Sequence, residues 1–255
     1  MESIPDDEAI LSIDGVTVSY AGTADRTAVL EGITFELARR TWTTCLGPSG
    51  CGKSTLLRAI AGLIDPDRGT VEVPRNSAGL PEVAYLPQRD TLLPWRSALR
   101  NAVLASEIDG RSLADALDEA RGLFARFGLG EAGRLFPHQL SGGMRQRVAV
   151  VRTYLTHRDL LLLDEPLGAL DPLTRADLQE WLLEVWDELG KTVLLVTHDV
   201  EEALVLSDRV LVMSARPATI REDLELGLPR PRSRVDTALV RQKEVLLWLL
   251  IGRAA

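Results

Sequence analysis

The chain has 255 residues, of which 45% are hydrophobic and 26% charged, the composition of an ordinary globular protein. Its net charge of −8 argues against a broad nucleic-acid-binding surface, which needs clustered lysine and arginine. The longest apolar run, residues 245–251, is far short of the ~20 residues of a membrane-spanning helix. Residues 1–8 are acidic, so we also expect no signal peptide. Any membrane link is therefore expected to run through a partner.

The first forty residues predict a small antiparallel β unit. Residues 10–20 alternate apolar and polar side chains around Asp14 and Gly15, which predicts a hairpin turning at these two residues. Residues 33–37 alternate again and predict another strand. Further short strands are predicted over 42–46, 69–73 and 83–86.

A glycine-rich loop follows the strand at 42–46. Residues 47–54 fit the pattern Gly-x-x-x-x-Gly-Lys-Ser, and a helix ending at Gly62 follows, which is the context of a phosphate-binding loop. Its glycines let backbone N–H groups point at phosphate oxygens, Lys53 would neutralise the β- and γ-phosphates, and the Ser54 hydroxyl would ligate Mg²⁺. We therefore expect the chain to bind a nucleoside triphosphate. The expected contact residues are Gly47, Ser49, Gly50, Cys51, Gly52, Lys53, Ser54 and Thr55.

The middle of the chain, about residues 92–155, has helical character. Apolar side chains recur at helical spacing over residues 113–127, and Gly128 follows as a stop signal. Another helix is expected to begin near residue 141. Cys45 and Cys51, at the phosphate loop, are expected to be reduced thiols because a disulfide there would distort the loop.

Two carboxylates follow a fully apolar strand at residues 160–163. In open α/β sheets, ligands bind at the carboxyl ends of the strands. Asp164 would hold Mg²⁺ through its water, and Glu165 would polarise the water that attacks the γ-phosphate. The alternative is that both carboxylates only cap a helix.

The last hundred residues continue the alternation of strands and helices. A helix capped by Asp171 carries the apolar stripe Leu178, Trp181, Leu182, Val185 and Leu189. A buried strand over 192–196, a short helix from Val200 and a strand over 209–213 follow, which together predict a mainly parallel sheet. Residues 229–234 are expected to be a basic, solvated spacer rather than a binding site, before a last helix at about 236–251.

Residues 140–144, Leu-Ser-Gly-Gly-Met, resemble the signature motif of ATP-binding cassette (ABC) transporters. With the phosphate loop and the Asp164-Glu165 pair in the same order, the chain resembles the nucleotide-binding subunit of that family from about residue 10 to residue 226. The resemblance implies an α/β, P-loop NTPase (ABC ATPase) core with a mainly parallel sheet, an antiparallel β subdomain and a helical subdomain at about 92–155. It places the ATPase domain at 10–231 and a C-terminal helical extension at 232–255.

The resemblance implies that two copies form a head-to-tail dimer with ATP sandwiched between them. Ser141, Gly142 and Gly143 would face the γ-phosphate held by the other copy. Asp171 lies in a segment that resembles the loop crossing the dimer interface, although it could equally be only a helix cap.

The resemblance also assigns three further residues around the nucleotide. His198 matches the switch histidine that points toward the γ-phosphate. Gln88 matches the glutamine that reaches Mg²⁺ and the attacking water. Tyr20 matches the aromatic residue that stacks on adenine, the alternative being a strand-end tyrosine at the surface.

Residues 88–95, which include a Leu-Leu-Pro-Trp run, look like the nitrate, sulfonate and taurine importer group. The resemblance implies an ATP-hydrolysing subunit at the cytoplasmic face of the membrane, with permease subunits as partners, an indirect link to a solute-binding protein and no nucleic-acid partner. Trp95 would lie in the groove that receives a permease helix, or be a core aromatic residue. An importer of a thiamine-precursor pyrimidine is the alternative cargo. A soluble ABC ATPase outside transport is the alternative class, and a non-hydrolysing ATP-gated module is a further rival.

The sequence departs from the family pattern before the phosphate loop. The family enters this strand through a glycine and an acidic residue, whereas this chain has Arg-Arg-Thr-Trp at 39–42.

Overall fold

The computed structural model describes residues 9–21, 26–168, 170–230, 232 and 236–251. Its strands are β1 (Ala9–Ala21), β2 (Arg26–Ala38), β3 (Trp42–Leu46), β4 (Arg68–Glu72), β5 (Val83–Leu86), β6 (Leu160–Asp164), β7 (Thr192–Thr197), β8 (Arg209–Met213) and β9 (Ile220–Glu225). Its helices are α1 (Lys53–Ile60), α2 (Ala98–Ala102), α3 (Leu104–Ile108), α4 (Leu113–Arg126), α5 (Gly142–Tyr154), α6 (Pro172–Leu189), α7 (Val200–Leu206) and α8 (Thr237–Ile251).

The main sheet has six strands in the order β5-β6-β7-β3-β8-β9. Neighbours from β5 to β8 pair in parallel and only β9 is antiparallel, which confirms the expected mainly parallel sheet. Every residue of β3, β6 and β7 is buried, because helices and the second sheet cover these central strands. The carboxyl ends of β3, β6 and β7 therefore lie side by side at one edge.

The second sheet is antiparallel, with the order β2-β1-β4. The predicted hairpin at Asp14 and Gly15 is wrong, because β1 runs straight through both residues. The register instead shifts between Ile13 and Val16, where β1 carries an extra residue relative to β2. β4 pairs with the other side of β1, so a turn at Gly15 would have broken two ladders at once.

The helical segment holds α2 to α5, and its apolar residues form one core with β5, β6 and α6. The predicted stripe of α4 is confirmed, with Ala120, Leu123, Phe124 and Phe127 buried. In α6, Leu178 and Leu182 are buried as predicted. The side chains of Trp181, Val185 and Leu189 lie outside the described part of the chain.

The C-terminal helix α8 packs against α7 and β8. Leu239 and Leu246 of α8 are buried in a cluster with Val200 and Leu204 of α7 and with β8. The prediction of a solvated spacer is wrong for Arg230 and Arg232: Arg232 Nη1 donates to the Leu204 carbonyl at 2.6 Å, and Arg230 Nη1 donates to the Leu206 carbonyl at 3.3 Å. These carbonyls end α7 without helical partners, and the two arginines satisfy them.

No helix in the described ranges combines the length and the apolar character needed to cross a bilayer.

Candidate active site

The phosphate loop joins the carboxyl end of β3 to the start of α1. Two of its glycines are fixed by their surroundings. Gly52 has φ +133°, and a Cβ there would lie 2.9 Å from a Leu30 methyl and 3.1 Å from the Val29 carbonyl of β2. A Cβ on Gly47 would lie 3.0 Å from that of Met213 in β8. The loop is therefore held between the two sheets, and only glycine fits these contacts.

Lys53 reaches back across this loop. Its side chain is only 4% exposed, and Nζ donates to the Gly47 carbonyl at 2.9 Å and to the Pro48 carbonyl at 3.0 Å. The same Nζ lies 3.5 Å from Glu165 Oε1. A buried ammonium needs such partners, and these contacts hold it at the mouth of the loop.

Ser54, in the first turn of α1, and Asp164, at the end of β6, form a hydrogen-bonded pair. Ser54 Oγ donates to Asp164 Oδ1 at 2.9 Å, and Tyr85 Oη of β5 donates to Asp164 Oδ2 at 3.0 Å. Asp164 is 1% exposed, and burial raises the pKa of its carboxyl while the two hydrogen bonds oppose that shift. Burial likewise raises the pKa of Tyr85 to about 12, and the nearby Asp164 charge adds to the effect. Tyr85 thus acts as a hydrogen-bond donor that sequence reasoning missed.

Glu165 brings three elements together. Gln88 Nε2 donates to Glu165 Oε2 at 3.5 Å, and His198 Nδ1 lies 3.2 Å from the same oxygen. Glu165 has φ +45°, which is rare for a residue with a side chain, and its N–H donates to the Val196 carbonyl of β7 at 2.9 Å. The strained backbone turns the carboxylate toward Lys53, Gln88 and His198, and such strain concentrates at functional sites.

A cavity of about 160 Å³ opens beside Lys53 and Glu165. Its lining consists of Gly50, Gly52, Lys53, Ser54, Thr55, Glu165 and Arg216. Arg216 was not predicted from the sequence, because it lies in the turn between β8 and β9 and belongs to no motif.

The signature residues and Asp171 lie at the starts of two neighbouring helices. Ser141 Oγ accepts from Met144 N at 3.2 Å and caps α5, while Asp171 Oδ1 accepts from Thr174 N at 3.1 Å and caps α6. A Cβ on Gly143 would lie 2.7 Å from the Thr174 methyl, so the two helix starts touch. Asp171 is thus a helix cap, as one of its two predicted roles requires. Within the described residues, no hydrogen bond or ion pair joins Ser141 or Gly143 to the phosphate loop of the same chain.

Tyr20 is 42% exposed at the end of β1. It lies close enough to α1 to raise the pKa of Arg58, although the Tyr85 hydroxyl is the larger cause of that shift. The ring is thus available to solvent on the Arg58 side of the phosphate loop.

Helix α5 holds the segment that carries Gln88. Arg145 Nε donates to Asp90 Oδ2 at 3.1 Å, and Arg152 donates to the Asp90 and Thr91 carbonyls at 2.8 and 2.9 Å. Trp95, at the end of the same segment, is 71% exposed. The interpretation of Trp95 as a core aromatic residue is therefore wrong, and Leu92 is the residue that is buried there instead.

The two thiols at the loop are free, as expected. Burial raises the pKa of Cys45 to about 12 and also raises that of Cys51, so both stay protonated at neutral pH. In the turn before β3, Arg40 adopts φ +57°, and its N–H donates to Thr192 Oγ1 at 2.9 Å.

The profile of the ABC transporter family matches residues 30–168, which span the phosphate loop, the signature residues and the Asp164-Glu165 pair. This chain belongs to the ABC transporter family. Among curated relatives, the taurine import ATP-binding protein TauB of Rhizobium johnstonii is 40% identical over 87% of this chain and 86% of its own. The aliphatic sulfonates import ATP-binding protein SsuB 1 of Rhodococcus jostii is 46% identical over 87% and 86%. The formylaminopyrimidine import ATP-binding protein ThiZ of Halalkalibacterium halodurans is 42% identical over 82% and 81%.

The solved structures agree with the sequence relatives. A dimeric, post-hydrolysis structure of the ATP-binding cassette MJ0796, bound to ADP and Pi, superposes with a TM-score of 0.75. It is 26% identical and covers 86% of this chain and 100% of its own. The chain is thus an ATP-binding ABC ATPase, and the expected fold, with its phosphate-loop core, antiparallel β part and helical part, is confirmed.

Proposed function

We propose that this chain is the ATP-hydrolysing subunit of an ABC importer of the nitrate, sulfonate and taurine type. The convergence of Lys53, Gln88 and His198 on the carboxylate of Glu165, which lines the cavity with Lys53, carries the proposal. These four residues come from α1, the segment after β5, the end of β6 and the end of β7. Lys53 and Gln88 belong to different elements, and both contact the Glu165 carboxylate.

The phosphate loop would hold the triphosphate. Backbone N–H groups of Gly47, Ser49, Gly50, Cys51 and Gly52 would donate to phosphate oxygens, and Thr55 would add a hydroxyl at the first turn of α1. Lys53 would exchange its loop carbonyls for the β- and γ-phosphates. Charge-assisted hydrogen bonds to phosphate are about twice as strong as neutral ones, which favours this exchange.

The oxygen ligands near the loop fit Mg²⁺. Ser54 Oγ and Asp164 Oδ1 lie 2.9 Å apart, and no group of three or more His, Cys, Asp or Glu that could hold a metal exists among the described residues. Mg²⁺ suits such a sparse site, because it is usually held by one or two protein ligands together with waters and substrate phosphates. Ser54, Asp164 and Gln88 are the residues that would hold it. When bound, the ion would neutralise negative charge on the phosphates.

Glu165 would act on the attacking water. Its Oε2 faces Gln88 and His198, so the water would lie among acceptor and donor groups that fix its orientation. Glu165 would accept a hydrogen bond from the water, and His198 would contact the γ-phosphate. Positioned acid–base help of this kind is worth about 10²- to 10⁴-fold in rate.

The second half of each site would come from another copy of the chain. Ser141, Gly142 and Gly143 form a helix start with small residues, which can approach a phosphate closely. Asp171 would lie at the same interface beside them, in addition to capping α6. Tyr20 would stack on adenine. The dimeric arrangement of the MJ0796 cassette supports this proposal.

The membrane partner would dock near residues 88–95. Trp95 is exposed on a segment that also carries Gln88, so docking and nucleotide contacts would share one piece of backbone. We infer permease subunits as direct partners, a solute-binding protein as an indirect one, and a location at the cytoplasmic face of the membrane. No contact with the cargo is expected from this subunit.

The cargo class rests on similarity to named relatives. Taurine and aliphatic sulfonates are carried over from TauB and SsuB 1, and both are small sulfonates. A formylaminopyrimidine remains the second candidate, because the ThiZ relative is 42% identical, which lies between the values for the other two.

Hydrolysis of ATP by the purified chain tests the activity. Glu165→Gln should lower the rate by about 10²- to 10⁴-fold, because the amide cannot accept the water's proton. Glu222→Gln, at an exposed position of β9, removes the same charge and should leave the rate unchanged. Equal rates for the two variants would refute the role of Glu165. Co-purification from membranes with a hydrophobic multi-span protein tests the transport role, whereas recovery with ribosomes or DNA would contradict it.

A further inference from the structure

The turn between β8 and β9, residues 214–219, lies against the phosphate loop. Ser214 holds the turn from inside: Thr219 N donates to Ser214 Oγ at 2.9 Å, and Ser214 Oγ donates to the Ala215 carbonyl at 2.9 Å. Ala218 ties the turn to β2, because Ala218 N donates to the Val29 carbonyl and Glu31 N donates to the Ala218 carbonyl, both at 2.9 Å. The turn therefore has a fixed position.

Both ends of this turn are anchored beside glycines of the loop. The strand that enters the turn ends at Met213, whose Cβ approaches Gly47, and the strand that anchors Ala218 carries Val29, whose carbonyl approaches Gly52. The turn thus spans the open side of the loop. Arg216 is its exposed central residue and lines the 160 Å³ cavity together with Lys53, Ser54 and Glu165.

The charges of the cavity lining are unbalanced. Lys53 and Glu165 lie 3.5 Å apart and compensate each other, which leaves the guanidinium of Arg216 as the uncompensated charge. Within the described residues, Arg216 makes no hydrogen bond or ion pair. The positive charge of Arg216 acts on the loop, because it is one of the charges that lower the pKa of the Cys51 thiol. Burial has the larger, opposite effect on that pKa.

We propose that Arg216 is a second nucleotide-binding cation, which contacts the phosphate groups of the ATP held by residues 47–55. This rests on the proposed function of the loop as an ATP site. A guanidinium presents paired N–H donors that match phosphate oxygens, and it remains charged at every physiological pH. A triphosphate carries more negative charge than Lys53 alone can neutralise, and Lys53 shares its charge with Glu165.

Isothermal titration with ATP tests the assignment, using Arg216→Gln, Arg216→Lys and Arg221→Gln. Arg221 is an exposed arginine of β9 outside the cavity lining. Arg221→Gln therefore makes the same change in charge and side-chain length as Arg216→Gln, but away from the cavity. Arg216→Gln should weaken ATP binding about tenfold, or about 1.4 kcal/mol. Arg216→Lys should lose less, and Arg221→Gln should bind like the unaltered chain.

Ionic strength separates a charge contact from a structural role. The affinity ratio between the unaltered chain and Arg216→Gln should shrink as salt rises from about 0.05 to 0.5 M, because the contact is partly exposed and screened. A tenfold loss that persists unchanged at high salt, or an Arg216→Gln affinity equal to that of Arg221→Gln, would overturn the proposal while leaving the ATP site intact. Absence of ATP binding by the unaltered chain would overturn the proposed function as well.

Discussion

Lys53 is the residue on which the proposed phosphate site depends most directly. Its ammonium is buried, and its partners are two loop carbonyls and Glu165. This geometry leaves a cation in place before any nucleotide arrives, so binding requires only an exchange of partners.

Lys53→Ala should weaken ATP binding by at least about 10- to 100-fold, because charge-assisted hydrogen bonds contribute about 1.5 to 3 kcal/mol. Titration with a fluorescent ATP analogue measures the loss. Lys243→Ala removes an exposed lysine that pairs with Glu201 on the surface, and it should bind normally. Unchanged affinity in Lys53→Ala would mean that residues 47–55 do not hold the phosphates.

Glu202 is a buried carboxyl next to the His198 segment. Its side chain is 3% exposed, and Thr197 Oγ1, adjacent to His198, donates to it. The pKa of Glu202 is raised to about 7, chiefly by burial; the charges of Asp199 and Glu165 add to this rise, whereas the Thr197 hydrogen bond and Arg175 oppose it. The Thr197 carbonyl also accepts a hydrogen bond from Gly47 N at 3.3 Å. Thr197 therefore connects the Glu202 carboxyl to the phosphate loop.

The folded chain binds the Glu202 proton more tightly than the unfolded chain, whose pKa is near 4.5. Its stabilising contribution is complete below that value and is lost as pH rises to about 7. Near pH 5, the free energy of unfolding of Glu202→Gln should therefore be nearly the same as that of the unaltered chain. Near pH 8 the variant should be more stable by about 1 to 3 kcal/mol. Urea unfolding at both pH values measures this, and an equal difference at both would contradict the assignment.

At the scale of elements, the predictions that succeeded share a physical cause. The runs at 42–46, 160–163 and 192–196 are apolar because they lie in the middle of a covered sheet, and α4 follows the 3.6-residue period because one face is buried. β9 was missed, because an edge strand with the sequence Ile-Arg-Glu-Asp-Leu-Glu has little apolar pattern. The arginines at 230 and 232 were misread, because their partners are carbonyls that no sequence pattern marks.

The segment from Gln88 to Trp95 links the Glu165 cluster to the proposed docking surface. Trp95→Ala should leave ATP affinity and the melting temperature nearly unchanged, because the ring is 71% exposed. Permease association should weaken by about 1 to 3 kcal/mol, as expected for an aromatic anchor. ATP titration and permease pull-down on the same variant measure both effects. A fall in permease binding that accompanies a fall in melting temperature would count against a docking role.

Helix α8 should contribute to the stability of the whole domain. Leu246 is 1% exposed against α7, so Leu246→Ala should lower the free energy of unfolding by about 2 to 4 kcal/mol. Leu247→Ala, at the adjacent and exposed position, should cost less than about 1 kcal/mol. Chemical denaturation compares the two, and equal costs would show that α8 does not pack as described.

At the scale of the whole molecule, the sequence predicted which motif residues meet, but it did not predict every side chain that contacts them. Residues 47–55, Asp164, Glu165 and His198 follow strands whose carboxyl ends meet at one edge, so their convergence follows from a parallel sheet. Tyr85 and Arg216 reach the same place from a strand interior and from a turn, and no spacing rule connects them to it.

The described chain also contains two halves of the proposed site. The phosphate loop and the Glu165 cluster form one half, and the helix starts at Ser141 and Asp171 form the other. Arg145 and Arg175, near those helix starts, pair with Asp90 and Asp199 beside Gln88 and His198, but no described hydrogen bond or ion pair joins Ser141 to the phosphate loop. A second copy, turned head to tail, would bring each half to its complement. The account therefore depends on dimerisation driven by ATP.

Light scattering on Glu165→Gln tests that dependence most directly. With hydrolysis blocked, saturating Mg²⁺-ATP should convert this variant from monomer to dimer, and removal of ATP should reverse the change. Adding Ser141→Arg should prevent the dimer by placing a long side chain at the helix start, while ATP binding at the loop persists. A Glu165→Gln chain that binds ATP but keeps the monomer mass at all nucleotide concentrations would contradict the shared site.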